Sequence, residues 1–376
     1  IRLASLPDPV DQPLQPIGIP LAEGNGIAVA GASPANVAGC ACPIEMTLTL
    51  PDDVEVKQVL LYWYTAIKGQ AAVDETVSVT VDGASAVNLR GTSIGGPTDF
   101  FSADGQSVYF NSFRVDATAE VASLLRVGDE TVLAVELPLA SQPDVAVESG
   151  TGLLVITENG GPRRHMEVLE GQDLAFFRFE DELQVTVPQR FVFDAAPYDR
   201  EAEVFLLIGS EGTPQEPRPN DMFVRSGGVD YPDRCEGNCD SLWWDSHRIG
   251  DIPVASGATS IETWVESTVS DDPLGASLNW VVAAVLLPEV EPEINLEREA
   301  ASWSYTIRNP GPTDLVKVAV LGGPNVAVTC QETALVAGAE MTCDAQGLAA
   351  YHANAAWVYA ESAVDGTPLV RWVEPD

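Results

Sequence analysis

The stretch Val229–His247, "VDYPDRCEGNCDSLWWDSH", concentrates the side chains of this chain that could do chemistry. Asp230, Asp233, Glu236, Asn238, Asp240 and Asp245 crowd oxygen atoms around Cys235 and Cys239. Carboxylates at such spacing repel one another unless a cation joins them, and Ca2+ takes six to eight hard oxygen ligands. The spacing therefore predicts a calcium site built from Asp230, Asp233, Asn238, Asp240 and Asp245, with a Cys235–Cys239 clamp. The run is not an EF-hand loop, since no Asp-x-Asp-x-Asp-Gly occurs, and a solvated acidic loop is the alternative. Trp243 and Trp244 follow directly. Successive side chains of a strand point to opposite faces, so one indole is expected in the core. The other is a candidate ligand-binding residue, stacking on a sugar ring or anchoring a protein partner. Core packing of both is the competing reading.

Catalytic signatures are missing from the sequence. "IGSEGT" (208–213) puts Ser210 beside glycines but lacks the G-x-S-x-G spacing and the strand-to-helix context of a nucleophile elbow. No GxGxxG, P-loop or HExxH occurs. Asp245 and His247 share one side of a strand, as a base and its orienting acid would, but no serine or cysteine nucleophile accompanies them. The three histidines, His165, His247 and His352, are dispersed. "GGPRRH" gathers Arg163, Arg164 and His165 as the one basic cluster. It reads as a salt-bridged linker pairing with Glu167, Glu170 or Glu180, or as a docking spot for an anionic glycan or a neighbouring subunit. Lys57 and Lys317 sit within strands, where a Lys–Asn isopeptide crosslink would start; a partly exposed lysine is the plainer reading. In "LLYWY" (60–64), Tyr62 and Tyr64 share one face of a strand and Trp63 takes the other.

Charge limits the partners. The 376 residues carry 56 acidic and 19 basic side chains, a formal net charge of −37. Such a surface repels nucleic acid and anionic lipid. Hydrophobic residues are nevertheless 45% of the chain, so the acidity coats packed cores and is not the mark of a disordered tail. No apolar run is long enough to span a bilayer, so no membrane insertion is expected. The six cysteines fall in local pairs, Cys40 with Cys42, Cys235 with Cys239 and Cys330 with Cys343, which suits disulfides in an oxidising, extracellular compartment. Buried free thiols are the alternative; a zinc site would need CxC and CxxxC pairs from distant parts of the chain. The start at Ile1 fits a mature protein whose export signal has been removed, or an arbitrary boundary.

The elements that must position these residues are strands. "MTLTLPDD", "VEVKQVLLYWYTAI", "ETVSVTVDG", "TVLAVELPL", "GLLVITE", "LQVTVPQRFVF", "AEVFLLIG", "SIETWVES" and "NWVVAAVLLPE" carry period-two or β-branched patterns between Pro, Gly, Asp and Ser. "VDATAEVASLLRVGD" (115–129) holds one or two helical turns, with Val121, Leu124 and Leu125 on one face and Gly128 as the stop. An internal repeat is legible: strand, turn-rich middle, an aspartate-led crossing (Asp116 or Asp245), a hairpin strand and an apolar closing strand, over 50–160 and again over 192–289. The expected fold is all-β, two jelly-roll-like β-sandwiches followed by an Ig-like β-sandwich. The boundaries expected are 1–160, 161–289 and 290–376, with "ENGGPRRHMEVLEGQD" and "LLPEVEPEINLE" as the joining segments.

In the last module, "WSYTIRNPGP", "LVKVAV", Cys330, "LVAGAEMTC" around Gly338, and Cys343 resemble the DUF11 family of Ig-like modules, found in secreted and cell-surface proteins of bacteria and archaea. The resemblance implies that the strand before the Asn309 turn and the "AG…TC" strand pack across a sandwich. This chain departs from the family pattern in lacking a Thr-rich "VTDP" strand end and in closing on "NAAWVYAES". The front modules resemble DUF3344-like regions of surface proteins through "VLLYW" and "VD…V…G…TV". Neither resemblance implies an activity. The expectation is a secreted cell-surface protein, structural or adhesive and not an enzyme, whose partners are protein subunits, including its own copies in self-assembly, or surface glycans. The alternatives are a carbohydrate-binding module array and, behind it, a glycosidase using paired carboxylates.

Overall fold

The computed structural model describes residues 12–34, 43–69, 75–103, 105–137, 146–161, 163–177, 179–196, 198–209, 212–213, 216–217, 220–235, 243–267, 277–289, 293–299, 302–309, 311, 314–322, 327–346, 356–363 and 368–373. They form an all-β protein. After a short β1 (Gln15–Pro16), the first strands are β2 (Gly26–Ala32), β3 (Ile44–Thr49), β4 (Glu55–Lys68), β5 (Thr76–Val81) and β6 (Val87–Arg90). β7 (Thr92–Ala103), β8 (Gln106–Asp116), β9 (Glu130–Glu136) and β10 (Ala146–Glu158) follow. Their sheets have the orders β2-β10-β4-β8-β7 and β3-β9-β5-β6. The chain crosses repeatedly between the two sheets, which makes a jelly roll.

The next group is β11 (Arg164–Phe176), β12 (Gln189–Val192), β13 (Arg200–Gly209), the two-residue strands β14 (Gly212–Thr213) and β15 (Glu216–Pro217), and β16 (Asn220–Ser226). β17 (Val229–Cys235), β18 (Trp244–Val254), β19 (Ser260–Ser267) and β20 (Ser277–Pro288) complete it. Its sheets run β1-β11-β20-β13-β18 and β12-β19-β16-β17. Replacing β2, β10, β4 and β8 by β11, β20, β13 and β18, and β3, β9, β5 and β6 by β12, β19, β16 and β17, reproduces the strand order. The second jelly roll repeats the first.

The two jelly rolls belong to one compact unit, Ile1–Val192, Glu201–Val254 and Ser260–Pro288, and the sequence shows how they stack. Outer strands alternate: β3 buries Ile44, Met46 and Leu48 and exposes the residues between them. β4 is buried without a break from Gln58 to Ile67, the pattern of a strand covered on both faces. Val59, Leu61 and Trp63 join the core against β3, β5 and β9. Leu60, Tyr62, Tyr64 and Ala66 join a second core with Val168, Phe205, Leu207, Val282 and Leu286 of the second jelly roll. Two central sheets thus lie face to face, each backed by an outer sheet.

The second unit comprises Phe193–Arg200, Ala255–Thr259 and Glu289–Asp376. Its strands are β21 (Glu293–Glu299), β22 (Ser302–Arg308), β23 (Leu315–Leu321), β24 (Ala327–Cys330), β25 (Ala334–Leu335), β26 (Glu340–Gln346), β27 (Ala356–Ser362) and β28 (Pro368–Val373). The sheets β21-β22-β26-β24 and β25-β23-β27-β28 correspond to the ABED and CFG sheets of an immunoglobulin sandwich. Tyr305, Ile307, Leu315, Val318, Val320, Met341, Cys343 and Val358 fill its core. Cys330 and Cys343 face each other across β24 and β26 and form a disulfide. Cys40, Cys42 and Cys239 lie outside the described residues, as does the side chain of Cys235.

Several expectations are corrected. The segment read as a joiner, "RRHMEVLEGQD", is most of β11, a central strand; Glu167, Glu170 and Asp173 masked its signal, and Glu170 is accommodated by a buried arginine described below. β21 likewise lies in what reads as an acidic linker. Asp245 leads no crossing: it is the second residue of β18, and the second repeat turns at 255–259, where the first has helix α1 (Thr118–Val121) and a 3-10 turn (Ala122–Leu124). Val121 and Leu125 of that crossing are buried, whereas Leu124 faces solvent. β22 and β26 do not pack across the sandwich; they pair as neighbours in one sheet, Tyr305 opposite Cys343, and the partner layer is supplied by β23 and β27.

Candidate functional site

The acidic stretch is divided by the geometry of the β16–β17 hairpin. Met222 and Val224 of β16 are fully buried, so Phe223 and Arg225 face outward. Asp230 is directly opposite Arg225 and shares that outer face. Arg225 donates to it twice, Nε to Oδ1 at 2.6 Å and Nη2 to Oδ2 at 2.9 Å, and these hydrogen bonds hold the Asp230 carboxyl below its ordinary range. The same guanidinium lies 4.7 Å over the Trp264 ring, which stacks on Phe223 at 5.1 Å.

Asp233, three residues on, takes the opposite face. It is opposite Met222 and points between the sheets, where its charge acts on His247 of β18. His247 is 8% exposed, and burial lowers its pKa to about 4 against the weaker opposing pull of Asp233. Asp245 is fully buried and shares the His247 side of β18 by strand periodicity. Asn238 and Asp240 lie outside the described residues. Among the described residues no group of three His, Cys, Asp or Glu side chains is placed to hold a metal ion. Asp230 and Asp233, on opposite faces of one strand, are not brought to a common point.

The paired indoles form a joint between the jelly rolls. Trp244 is fully buried and lies near-parallel to Tyr64, with ring centroids 6.0 Å apart and planes 16° off parallel. Its ring rests on glycines of the first jelly roll: a Cβ at Gly31 of β2 or at Gly150 or Gly152 of β10 would come within 2.1, 3.0 or 2.5 Å of it. Trp243 is half-buried against the same core, donates its backbone N–H to Ser33 Oγ at 3.0 Å and accepts from the Tyr64 hydroxyl at 2.9 Å. The indole expected in the core is Trp244. Close packing on glycine removes Trp244 from solvent, so it is not the ligand-facing indole of the pair; Trp243 stays partly exposed.

A polar seam crosses the same interface. Arg114 of β8 donates Nη1 to Glu170 Oε1 of β11 at 2.7 Å, and the Tyr62 hydroxyl donates to Oε2 at 3.2 Å. Burial raises Glu170 above the usual carboxylate range despite the Arg114 charge, and raises Tyr62 as well. Beside them Ser112 donates to Gln172 Oε1 at 3.0 Å, Gln172 Nε2 donates to Thr98 Oγ1 at 3.0 Å, and Asn279 Nδ2 donates to Ser112 Oγ at 3.1 Å. These contacts clamp one jelly roll to the other. In "GGPRRH", Arg164 pairs with Glu203 at 2.8 Å, joined there by Arg248 at 2.7 Å, and His165 lies 4.0 Å from Glu167. Lys57 and Lys317 end on Glu55 and Glu361.

One surface escaped the sequence reading. On the outer face of the β23-β27-β28 sheet, Leu321, Trp357 and Val370 are 61%, 46% and 58% exposed. Leu321 is directly opposite Trp357, and Tyr359, the next outward residue of β27, is opposite Val370. The signal was present: in "AWVYA" both alternating sets, Trp357 with Tyr359 and Val358 with Ala360, are apolar or aromatic, so both faces of the strand favour contact. Lys317 and Glu361 close one end of this face with an ion pair at 2.6 Å. Compared with known proteins, the chain matches no family model and no curated protein.

Proposed function

We propose that the chain is a secreted cell-surface protein, structural or adhesive, that works through surface contact. The observation carrying this reading is the Leu321–Trp357–Val370 face of the Ig-like sandwich. Contiguous exposed apolar side chains mark contact sites, and here they interrupt a surface otherwise dominated by carboxylates. Within the acidic stretch, Asp230 is held by Arg225, and Trp244 is packed into the joint between the jelly rolls. The disulfide of the Ig-like unit and its resemblance to modules of exported proteins support an extracellular station. A sugar-binding role is favoured less, because the residue directly opposite Trp357 on β23 is the aliphatic Leu321, where a sugar site sets a hydrogen-bonding group beside an indole.

The test is to treat intact producing cells with protease and to measure adsorption of the purified chain to those cells. Cleavage on intact cells, with adsorption reduced by Trp357→Ala, is the expected result. A chain protected until lysis, or adsorption abolished by a free sugar and untouched by Trp357→Ala, sinks the proposal.

A further inference from the structure

We propose that the β23-β27-β28 face binds a second copy of this chain, sheet on sheet; this rests on the surface-contact reading and names the partner. Charge selects that occupant. The chain carries −37, so two copies repel wherever their acidic surfaces meet. On this face the described charges cancel: Lys317, one of three lysines in the chain, is paired with Glu361, and Leu321, Trp357, Tyr359 and Val370 are uncharged. A cationic partner finds no excess of carboxylate here, whereas the same face on a second copy meets it without repulsion and with an apolar surface of its own.

Size sets the strength. Seven residues of β23 at about 3.3 Å each and three strands at about 4.8 Å spacing make a face of roughly 23 by 14 Å. That falls short of the ~800 Å² per partner in standard stable interfaces, so the contact is weak in solution and gains strength where many copies are displayed together. Repulsion between the remaining acidic surfaces is screened by salt, so self-association tightens as ionic strength rises.

Sedimentation velocity of the full-length chain tests this, up to about 1 mM, the regime of interfaces this small. A concentration-dependent dimer is expected, tighter in molar salt and weakened about tenfold or more by Leu321→Glu and by Val370→Lys. Both positions lie mostly in solvent, so unchanged melting temperatures confirm that each variant folds. A chain that stays monomeric at every salt concentration, or a dimer indifferent to both replacements, overturns the inference. Protease protection on intact cells would instead overturn the surface-contact reading, whatever the sedimentation shows.

Discussion

Arg114 and Glu170 meet across the interface of the two jelly rolls at 2.7 Å, with side chains 7% and 8% exposed. Removing one partner leaves the other charge buried. Arg114→Ala should therefore destabilise by about 3–5 kcal/mol, and replacing both by apolar residues of similar volume should cost far less. The raised Glu170 pKa agrees in sign: a carboxyl whose folded pKa lies above the unfolded value favours folding at low pH and loses that contribution as pH rises through the folded value. Ionised Glu170 is thus a net cost at neutral pH. Denaturant titration of the single and double variants checks this; equal losses in both would refute it.

His247 gives the opposite pH dependence. Its folded pKa of about 4 lies below the ordinary histidine value of 6.5, so folding favours the neutral ring. That contribution is complete above the unfolded pKa, declines as pH falls from 6.5, and is gone below about 4, a change of about 3 kcal/mol. Unfolding free energies across this range should show the decline, and His247→Gln should flatten it. A variant with the same slope as the parent would assign the effect to other groups.

The glycine floor under Trp244 predicts a position-specific cost. Gly31→Ala and Gly152→Ala force a Cβ into the indole and should destabilise by about 1–3 kcal/mol. Gly18→Ala, where nothing lies within 4 Å of the added carbon, should be nearly neutral. Thermal melts of the three variants side by side decide it. Comparable shifts in all of them would mean that Trp244 yields.

The disulfide among the described residues belongs to the C-terminal unit. The Cys330–Cys343 bridge closes a segment of sequence separation 13, and its loss should cost about 3 kcal/mol through unfolded-state entropy. Calorimetry of a Cys330→Ser, Cys343→Ser double variant should show a lower transition for the Ig-like unit and an unchanged one for the double jelly roll. A shift of both would show that the two unfold together.

The architecture was legible because burial writes itself into periodicity. The alternation of "MTLTL" marks an outer strand, and the unbroken "VLLYWYTAI" marks an inner one. β11 was illegible because the partners that neutralise its carboxylates come from distant strands: Arg114, which meets Glu170, is far away in sequence. The site suffered from a similar blindness. Proximity in sequence suggested that Asp230 and Asp233 converge, although an offset of three in a strand sends them to opposite faces. The glycines beneath Trp244 looked like ordinary turn and strand residues until the fold set them opposite an indole.

That packing also makes the union of the jelly rolls one-way. The two share a strand order and meet through equivalent sheets, yet the indole belongs to one and its floor to the other. β20, the counterpart of β10, contains no glycine, and β8, the counterpart of β18, contains no tryptophan. Two first jelly rolls would bring together two empty floors, and two second ones would bring together two unseated rings. The halves are mated as plug and socket, and neither can substitute for its twin.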